Sequence, residues 1–350
     1  MIDEAKLRQF MGKMVVDLGS AISVPLVRIG LRLGMYKAMN GAGPMSSEEL
    51  AEKTRISERY AREWLAQNAA SGYLSYDAGS RRFELLPEQA MALANEEGPF
   101  FIGGAFDTVA TLYQTQPLVE EAFKSGGGID WGDHAGCLFC AIGVMLRPRY
   151  SANIVQNWLP ALDGVVGKLE RGAKVADVGC GTGYSTFIMA KAFPNSSFVG
   201  YDFHEPSIAH AAERARDTGA RNVRFEVAKA KDFPEKDLDL VTCFDVLHDL
   251  GDPAGAAAHI HRALKPDGTW MLMEPLAGDA TEDNFGPVGR LAYGFSTMAC
   301  VPVSLSQEVG MALGAQAGQK KLTEVIAAGG FGRVRRAAET PVNMILEARH

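Results

Sequence analysis

An α/β fold, a mostly parallel doubly wound sheet behind a mainly α-helical N-terminal part, is what this sequence predicts, and two patterns carry that prediction. Strand-length apolar runs near residues 174–178, 197–202, 222–227, 238–244 and 268–274 alternate with helical stretches, the order of a parallel sheet with crossover helices. The last two runs, 332–338 and 343–348, are joined by a link through Glu339, Thr340 and Pro341 that is too short for a parallel crossover, so they are expected to pair antiparallel.

From the N-terminus, residues 7–39 read as helix interrupted at Pro25, with apolar side chains (Val15, Val16, Leu18, Ile22, Leu26, Ile29) on more faces than a lone surface helix buries, which points to another subunit. Ser46-Ser-Glu-Glu49 has capping-box spacing ahead of a short helix. Ser57 starts a second helix whose Tyr60, Trp64 and Leu65 recur at helical spacing. Tyr73 to Tyr76 and Arg82 to Leu85 flank a glycine-containing turn and predict a hairpin. Helix, turn, helix, hairpin is a winged-helix pattern. The second helix sets Glu58 and Glu63 beside Arg59 and Arg62, so it offers no basic stripe for phosphates, and dimerisation is favoured over DNA binding. Residues 98–162 are helical and rich in aromatics, broken at Gly126-Gly-Gly128; some of the aromatics are expected to roof an active site.

The most informative stretch is Val175-Ala-Asp-Val-Gly-Cys-Gly-Thr-Gly183, a buried strand running into a glycine-rich loop. Its spacing, Gly-x-Gly-x-Gly, departs from the Gly-x-Gly-x-x-Gly of a dinucleotide site. The next strand, Ser197-Phe-Val-Gly-Tyr-Asp202, ends in a carboxylate placed to accept both hydroxyls of a ribose. The implied ligand carries an adenosine-like ribose, and the loop need not hold a diphosphate.

With Asp177-Val-Gly-Cys-Gly-Thr-Gly183, Asp202 and Ala263-Leu-Lys-Pro-Asp-Gly-Thr269 in this order, the chain resembles the class I S-adenosylmethionine-dependent methyltransferases over residues 166–350. That resemblance implies a Rossmann-like seven-stranded sheet with an antiparallel last strand. The whole layout is similar to small-molecule O-methyltransferases whose N-terminal winged helix dimerises. It implies three parts: a dimerisation domain over 1–95, a helical linking and lid segment over 96–165, and a catalytic domain over 166–350. Carried onto this chain, the cofactor S-adenosylmethionine would meet Gly179, Cys180, Gly181 and Gly183 at the loop, Asp177 through water, Asp202 at the ribose, and Phe203 at an adenine face. Lys231, Asp232, Phe233 and Phe244 complete the set, although Lys229 stands where the family usually has an acid.

Cys243-Phe-Asp-Val-Leu-His-Asp-Leu-Gly-Asp252 resembles the His-Asp-Trp-Ser-Asp motif of O-methyltransferases, with Leu250 in place of Trp. The resemblance makes His248 the general base, with Asp249 beside it and Glu274 orienting it, and a neutral imidazole suits that task. The family's second supporting acid has no match; its place falls near Gln316. Tyr150, Arg147, Arg290 and Tyr293 are the substrate-side candidates, since an inward arginine holds a carboxylate in two hydrogen bonds. His259 and His261, at alternate helical positions, do not face each other and are expected to cap or face solvent.

A chain of 350 residues, 47% hydrophobic and 22% charged, can bury a large core, and its net charge of -7 argues against a general nucleic-acid binder. Five scattered cysteines fit a reducing compartment, and Cys137-x-x-Cys140, without a second ligand pair, reads as two small buried residues on a helix face rather than a metal site. No uninterrupted apolar run reaches ~18 residues, so a cytoplasmic protein without membrane contact is expected; the resemblance implies that it is a homodimer. The expected activity is methyl transfer to a small-molecule acceptor, O-methylation first. S-methylation of a thiol or thioether acid, or N-methylation, by proximity without a base stands behind it. A third reading is a winged-helix regulator that senses the cofactor without turnover.

Overall fold

A computed structural model describes residues 1–134 and 137–350. The chain divides into two compact units, Met1–Ala110 with Val144–Pro148 and Thr111–Gly143 with Arg149–His350. The stretch 96–165 is therefore shared between them.

The first unit holds α1 (Glu4–Arg32), α2 (Met35–Met39), α3 (Ser47–Thr54), α4 (Glu58–Ala70), the hairpin β1 (Ser75–Asp77) and β2 (Arg82–Glu84), α5 (Pro87–Leu93) and the start of α6 (Gly103–Ser125). Pro25 does not interrupt α1; the chain breaks later, before Gly34, which takes φ 68°. An internal proline loses one hydrogen bond and can be carried as a kink, whereas a glycine in the left-handed region ends a helix without a Cβ clash. The capping box of α3 forms: Glu49 N–H donates to Ser46 Oγ at 3.3 Å, and Ser46 N–H to the Glu49 carboxylate at 2.8 Å. In α4 the buried face is Ala61, Trp64, Leu65 and Asn68. Tyr60 lies off that stripe and is 78% exposed, contrary to the sequence expectation, because it precedes Ala61 by one residue and so points about 100° away. Trp64, Leu65, Tyr36, Leu50, Leu74 and Leu85 share one core.

Most of α1 finds no cover in its own unit: Phe10, Val15, Val16, Leu18 and Ile22 are all exposed. By length and composition this helix is apolar enough to cross a membrane, with an 18-residue window of mean hydropathy 1.6. That qualifies the sequence expectation, which weighed only uninterrupted apolar runs.

The second unit is built on seven strands: β3 (Lys174–Val178), β4 (Ser197–Asp202), β5 (Val223–Val227), β6 (Leu238–Phe244), β7 (Leu264–Pro275), β8 (Arg333–Glu339) and β9 (Asn343–Arg349). Around them run α7 (Leu138–Asn153), α8 (Val165–Arg171), α9 (Tyr184–Ala192), α10 (Glu205–Thr218), α11 (Pro253–Ala263), α12 (Pro287–Phe295), α13 (Val301–Ser306) and α14 (Gly318–Ala328). The strand order is β5-β4-β3-β6-β7-β9-β8, parallel as far as β7, with β9 antiparallel to both β7 and β8. The expected terminal reversal is present. β9 is inserted between two strands and is buried through Ala348, whereas β8 lies at the edge and exposes Arg333, Arg335 and Arg336, charges that discourage pairing with another chain. Strand order reverses between β3 and β6, so their carboxyl ends leave the crevice in which α/β folds place ligands.

Candidate active site

The loop after β3 uses its three glycines in two ways. Gly179, Gly181 and Gly183 all have positive φ (73°, 53° and 79°), which only glycine adopts freely. A Cβ on Gly179 would lie 2.5 Å from Val246, and one on Gly183 2.7 Å from the Phe225 ring, so these two are packing glycines. A Cβ on Gly181 would meet nothing within 4 Å. Gly181 is therefore the residue that opens onto free space.

The loop is tied to the end of β4. Gly179 and Cys180 N–H both donate to the Tyr201 carbonyl, at 2.7 and 3.0 Å, and Gly181 N–H donates to Asp202 Oδ2 at 2.9 Å. A ligand at these residues meets Cα hydrogens and carbonyls rather than amide donors. Asp202 Oδ1 accepts from His204 N–H at 2.9 Å, so each carboxylate oxygen is oriented by one amide. Burial pushes the Asp202 carboxyl above the usual range, and the two amides oppose this. Beside it Phe203 is 44% exposed, an apolar ring on the surface with no core to fill.

Three sequence-derived site residues need correction. Asp177 is sealed in: its Oδ2 accepts from Ser185 and Thr186 hydroxyls at 2.6 Å each, and its Oδ1 from Thr242 at 2.7 Å. It braces β3 against α9 and β6 rather than facing a ligand through water. Phe233 is core, 1% exposed and stacked on Tyr201 at 5.2 Å, because the chain after β5 turns its apolar side chain inward. Arg147 belongs to the first unit, where it donates to the Glu96 carbonyl at 2.7 Å and pairs with Glu97 at 3.1 Å.

The remaining candidates fall as follows. Asp232 Oδ1 accepts from Lys229 N–H at 2.9 Å and closes the turn after β5, and Lys231 pairs with Glu308. Phe244, at the end of β6, packs against Tyr150 and Trp158 at ring separations of 5.3 and 6.2 Å. Burial, then the charges of Asp245 and Asp177, hold the Tyr150 hydroxyl well above its ordinary value. Arg290 is exposed on α12 and Tyr293 half-buried on the same helix. His259 Nε2–H donates to the Phe233 carbonyl (2.8 Å), and His261 packs edge-on to Phe331, so neither faces the crevice.

Beyond β6 the chain makes a short turn, Leu247–Asp249, that delivers His248 to the end of β7. His248 Nδ1 lies 2.5 Å from Glu274 Oε2, and Leu247 N–H donates to Glu274 Oε1 at 2.8 Å. Glu274 is fully buried and His248 nearly so. The other ring nitrogen, Nε2, is 3.1 Å from Asp249 Oδ1. A second carboxylate therefore stands at the ring, and it belongs to the next residue in the chain; Gln316, where the family's second acid was expected, bonds its neighbour's carbonyl. Burial alone would lower the His248 pKa, but the charges of Asp249 and Glu274 override it and hold the imidazole protonated well above its usual range.

Asp245 and Cys300 were given no role from sequence, and Arg149 stood only within the substrate-side run Arg147-Pro-Arg149-Tyr150. Asp245 takes φ 57° at the strand end, and burial, partly offset by Arg149 and His248, pushes its carboxyl up to about 6. Arg149, not Arg147, is the arginine whose charge reaches Asp245 and Tyr150. Cys300 touches His248 from 52 positions further along the chain, a proximity only the fold creates. Cys137 and Cys140 are not a buried pair of thiols: Cys137 is exposed at the start of α7 and disulfide-bonded to Cys140, since a helical x-x spacing sets their Cα atoms 5.2 Å apart, within bridging reach.

Comparison with known proteins identifies the domains. Residues 169–330 match a methyltransferase domain, and residues 20–95 match an Rv2258c-like winged HTH domain. The chain thus carries a methyltransferase domain behind a winged-helix domain. The chain is 31% identical over 130 residues to the ubiquinone biosynthesis O-methyltransferase of Pseudomonas aeruginosa, covering 36% of the chain and 53% of that relative. It spans about half the length of the curated relatives it matches. Its fold is that of a putative O-methyltransferase from Nostoc punctiforme (TM-score 0.75, 19% identity, 97% and 98% of the two chains). It is also that of human N-acetylserotonin methyltransferase solved with S-adenosylmethionine (TM-score 0.72, 18% identity, 97% of each chain).

Proposed function

We propose that this methyltransferase binds S-adenosylmethionine over the Gly179–Gly183 loop and methylates a hydroxyl of a small-molecule acceptor, with His248 as the base. The observation that carries the reading is the buried His248–Glu274 pair, 2.5 Å apart, at the carboxyl ends of β6 and β7, on the same side of the sheet as the loop that follows β3. The residues fit the cofactor: free space over Gly181, a half-buried carboxylate at Asp202 for ribose hydroxyls, and the exposed Phe203 ring for an adenine face. When bound, S-adenosylmethionine supplies an electrophilic methyl group on sulfur. The chain's own residues position the acceptor and take up its proton at His248 Nε2, while Glu274 fixes the ring and stabilises the imidazolium. Asp249, 3.1 Å from Nε2, must yield that position to the acceptor hydroxyl.

One observation favours a second reading. An imidazole held protonated between two carboxylates is a poor base near neutral pH. A thioether or thiolate acceptor needs no base, so S-methylation by proximity follows if His248 proves dispensable. A DNA-binding regulator is disfavoured because both α4 arginines are neutralised on their own helix, Arg59 by Glu63 and Arg62 by Glu58. The uncovered face of α1 is proposed to pack against a second copy of the chain. A methyl-transfer screen over phenols, amines, thiols and thioether acids, on the wild type and His248→Gln, tests the assignment. Loss confined to hydroxyl acceptors supports the base, and undiminished turnover of a hydroxyl acceptor by the variant removes it.

A further inference from the structure

The turn after β6 gathers three metal-binding atoms. One donor atom each from His248, Asp249 and Cys300 lies within 4.8 Å of the other two, and His248 and Cys300 are buried. The separation of His248 Nε2 from Asp249 Oδ1, 3.1 Å, is close to the edge of a small coordination tetrahedron with bonds of about 2.0–2.3 Å. Two further observations mark the place as unfilled by protein. Asp249 Oδ1 is buried without a hydrogen-bond partner, its approach to the imidazole lacking the angle of a hydrogen bond. His134, 4% exposed, has no partner on either ring nitrogen, and it lies within the field of the Asp249 carboxylate. Buried polar atoms rarely stay unpaired without a reason.

The rest of the geometry suits a metal ligand. A ligating histidine almost always gives its second nitrogen to a carboxylate, and His248 Nδ1 does so to Glu274 at 2.5 Å. Nitrogen, oxygen and thiolate sulfur together select a borderline-soft divalent ion over magnesium or calcium.

We propose that His248 Nε2, the Asp249 carboxylate and the Cys300 thiolate form a Zn²⁺ site, with one position left open towards the crevice. Binding releases two protons to solvent, one from the Cys300 thiol and one from His248 Nε2, whose freed lone pairs bind the metal while Nδ1–H stays with Glu274. Resting on the base assignment above, the bound ion would withdraw His248 from proton transfer, so the site is inhibitory. The ion is sensed only while Asp249 stays turned towards the ring, which links metal binding to the same residue that must move for an acceptor.

The test uses the full chain carrying Cys137→Ser and Cys140→Ser, so that no other thiol pair competes. Zn²⁺ affinity is measured by competition with a chromophoric chelator, and Co²⁺ is added separately to read sulfur-to-metal charge transfer. One equivalent of Zn²⁺ per chain is expected, with a charge-transfer band that disappears in Cys300→Ser. Affinity should fall by about 10–100-fold in Glu274→Gln, as for the loss of a carboxylate behind a metal-bound histidine. Substoichiometric binding, or a band and affinity unchanged by Cys300→Ser, would overturn the site. Circular dichroism and S-adenosylhomocysteine binding on each variant report folding. Absence of nucleoside binding in every protein would count against the cofactor reading while leaving the metal result intact.

Discussion

Replacing Gly181 by alanine separates the loop's role in folding from its role in binding. The residue sits at φ 53°, where a Cβ costs about 1–2 kcal/mol against glycine, and no atom within 4 Å would resist the new methyl. For a domain of 150–250 residues that loss lowers Tm by about 2–8 °C. The methyl would stand in the open space proposed for the cofactor, so S-adenosylhomocysteine affinity should fall at least tenfold, or about 1.4 kcal/mol. Gly183→Ala is the counterpart. Its Cβ would meet the Phe225 ring at 2.7 Å and Ala211 at 3.1 Å, adding about 1–3 kcal/mol of overpacking to the backbone cost. Thermal melts and calorimetric titration with S-adenosylhomocysteine on both variants give four numbers. Gly183→Ala should be the less stable, and Gly181→Ala should lose more affinity than stability. Wild-type affinity in a Gly181→Ala protein that is otherwise destabilised would refute the claim that this residue borders the ligand.

Asp245 is raised from 3.8 to about 6, so its contribution to stability is fully present below pH ~4 and lost as pH rises through about 6. At ~1.36 kcal/mol per unit the ceiling is about 3 kcal/mol, and the partial exposure of Asp245 keeps the effect below it. Asp245→Asn, which tolerates positive φ, should therefore raise Tm at pH 7.5; an unchanged or lower Tm contradicts the assignment. The raised His248 pKa has the same sign: its pair with Glu274 and Asp249 stabilises fully below about pH 6.5 and weakens as pH climbs through the higher folded value. Transfer to a hydroxyl acceptor should keep rising well above pH 6.5, and His248→Gln should lower it by about 10²–10⁴. A rate already level at pH 6.5 would show that no proton leaves through His248. Phe10→Asp with Val16→Asp, both on the uncovered side of α1, should convert a dimer to monomers in sedimentation, and a wild type that is already monomeric would remove the dimer proposal.

The sheet and its terminal reversal were legible because each strand leaves a local mark: apolar runs bounded by turns, and a link after Glu339 too short to cross over. The capping box at Ser46 and the glycine loop are equally local and stood where expected. Errors arose where a local pattern had more than one tertiary outcome. Pro25 had the sign of a break and was carried inside α1, and Phe233, placed by family position, turned into the core. Asp177 looked like a ligand residue until three hydroxyls from α9 and β6 filled its oxygens.

What the sequence by itself determined is the adenosine-type loop, the carboxylate at Asp202 and the histidine and glutamate that end neighbouring strands. These are set by spacing along one strand and its following turn. Only the tertiary structure decided which arginine belongs with the site, that Asp249 rather than Gln316 supplies the second carboxylate at His248, and that Cys300 stands against that ring. Arg149 and Cys300 lie far from His248 in the chain, and the direction of the Asp249 side chain is not fixed by its position next to that histidine; the energy that selects these arrangements is side-chain packing and charge burial between elements, which no window of sequence records.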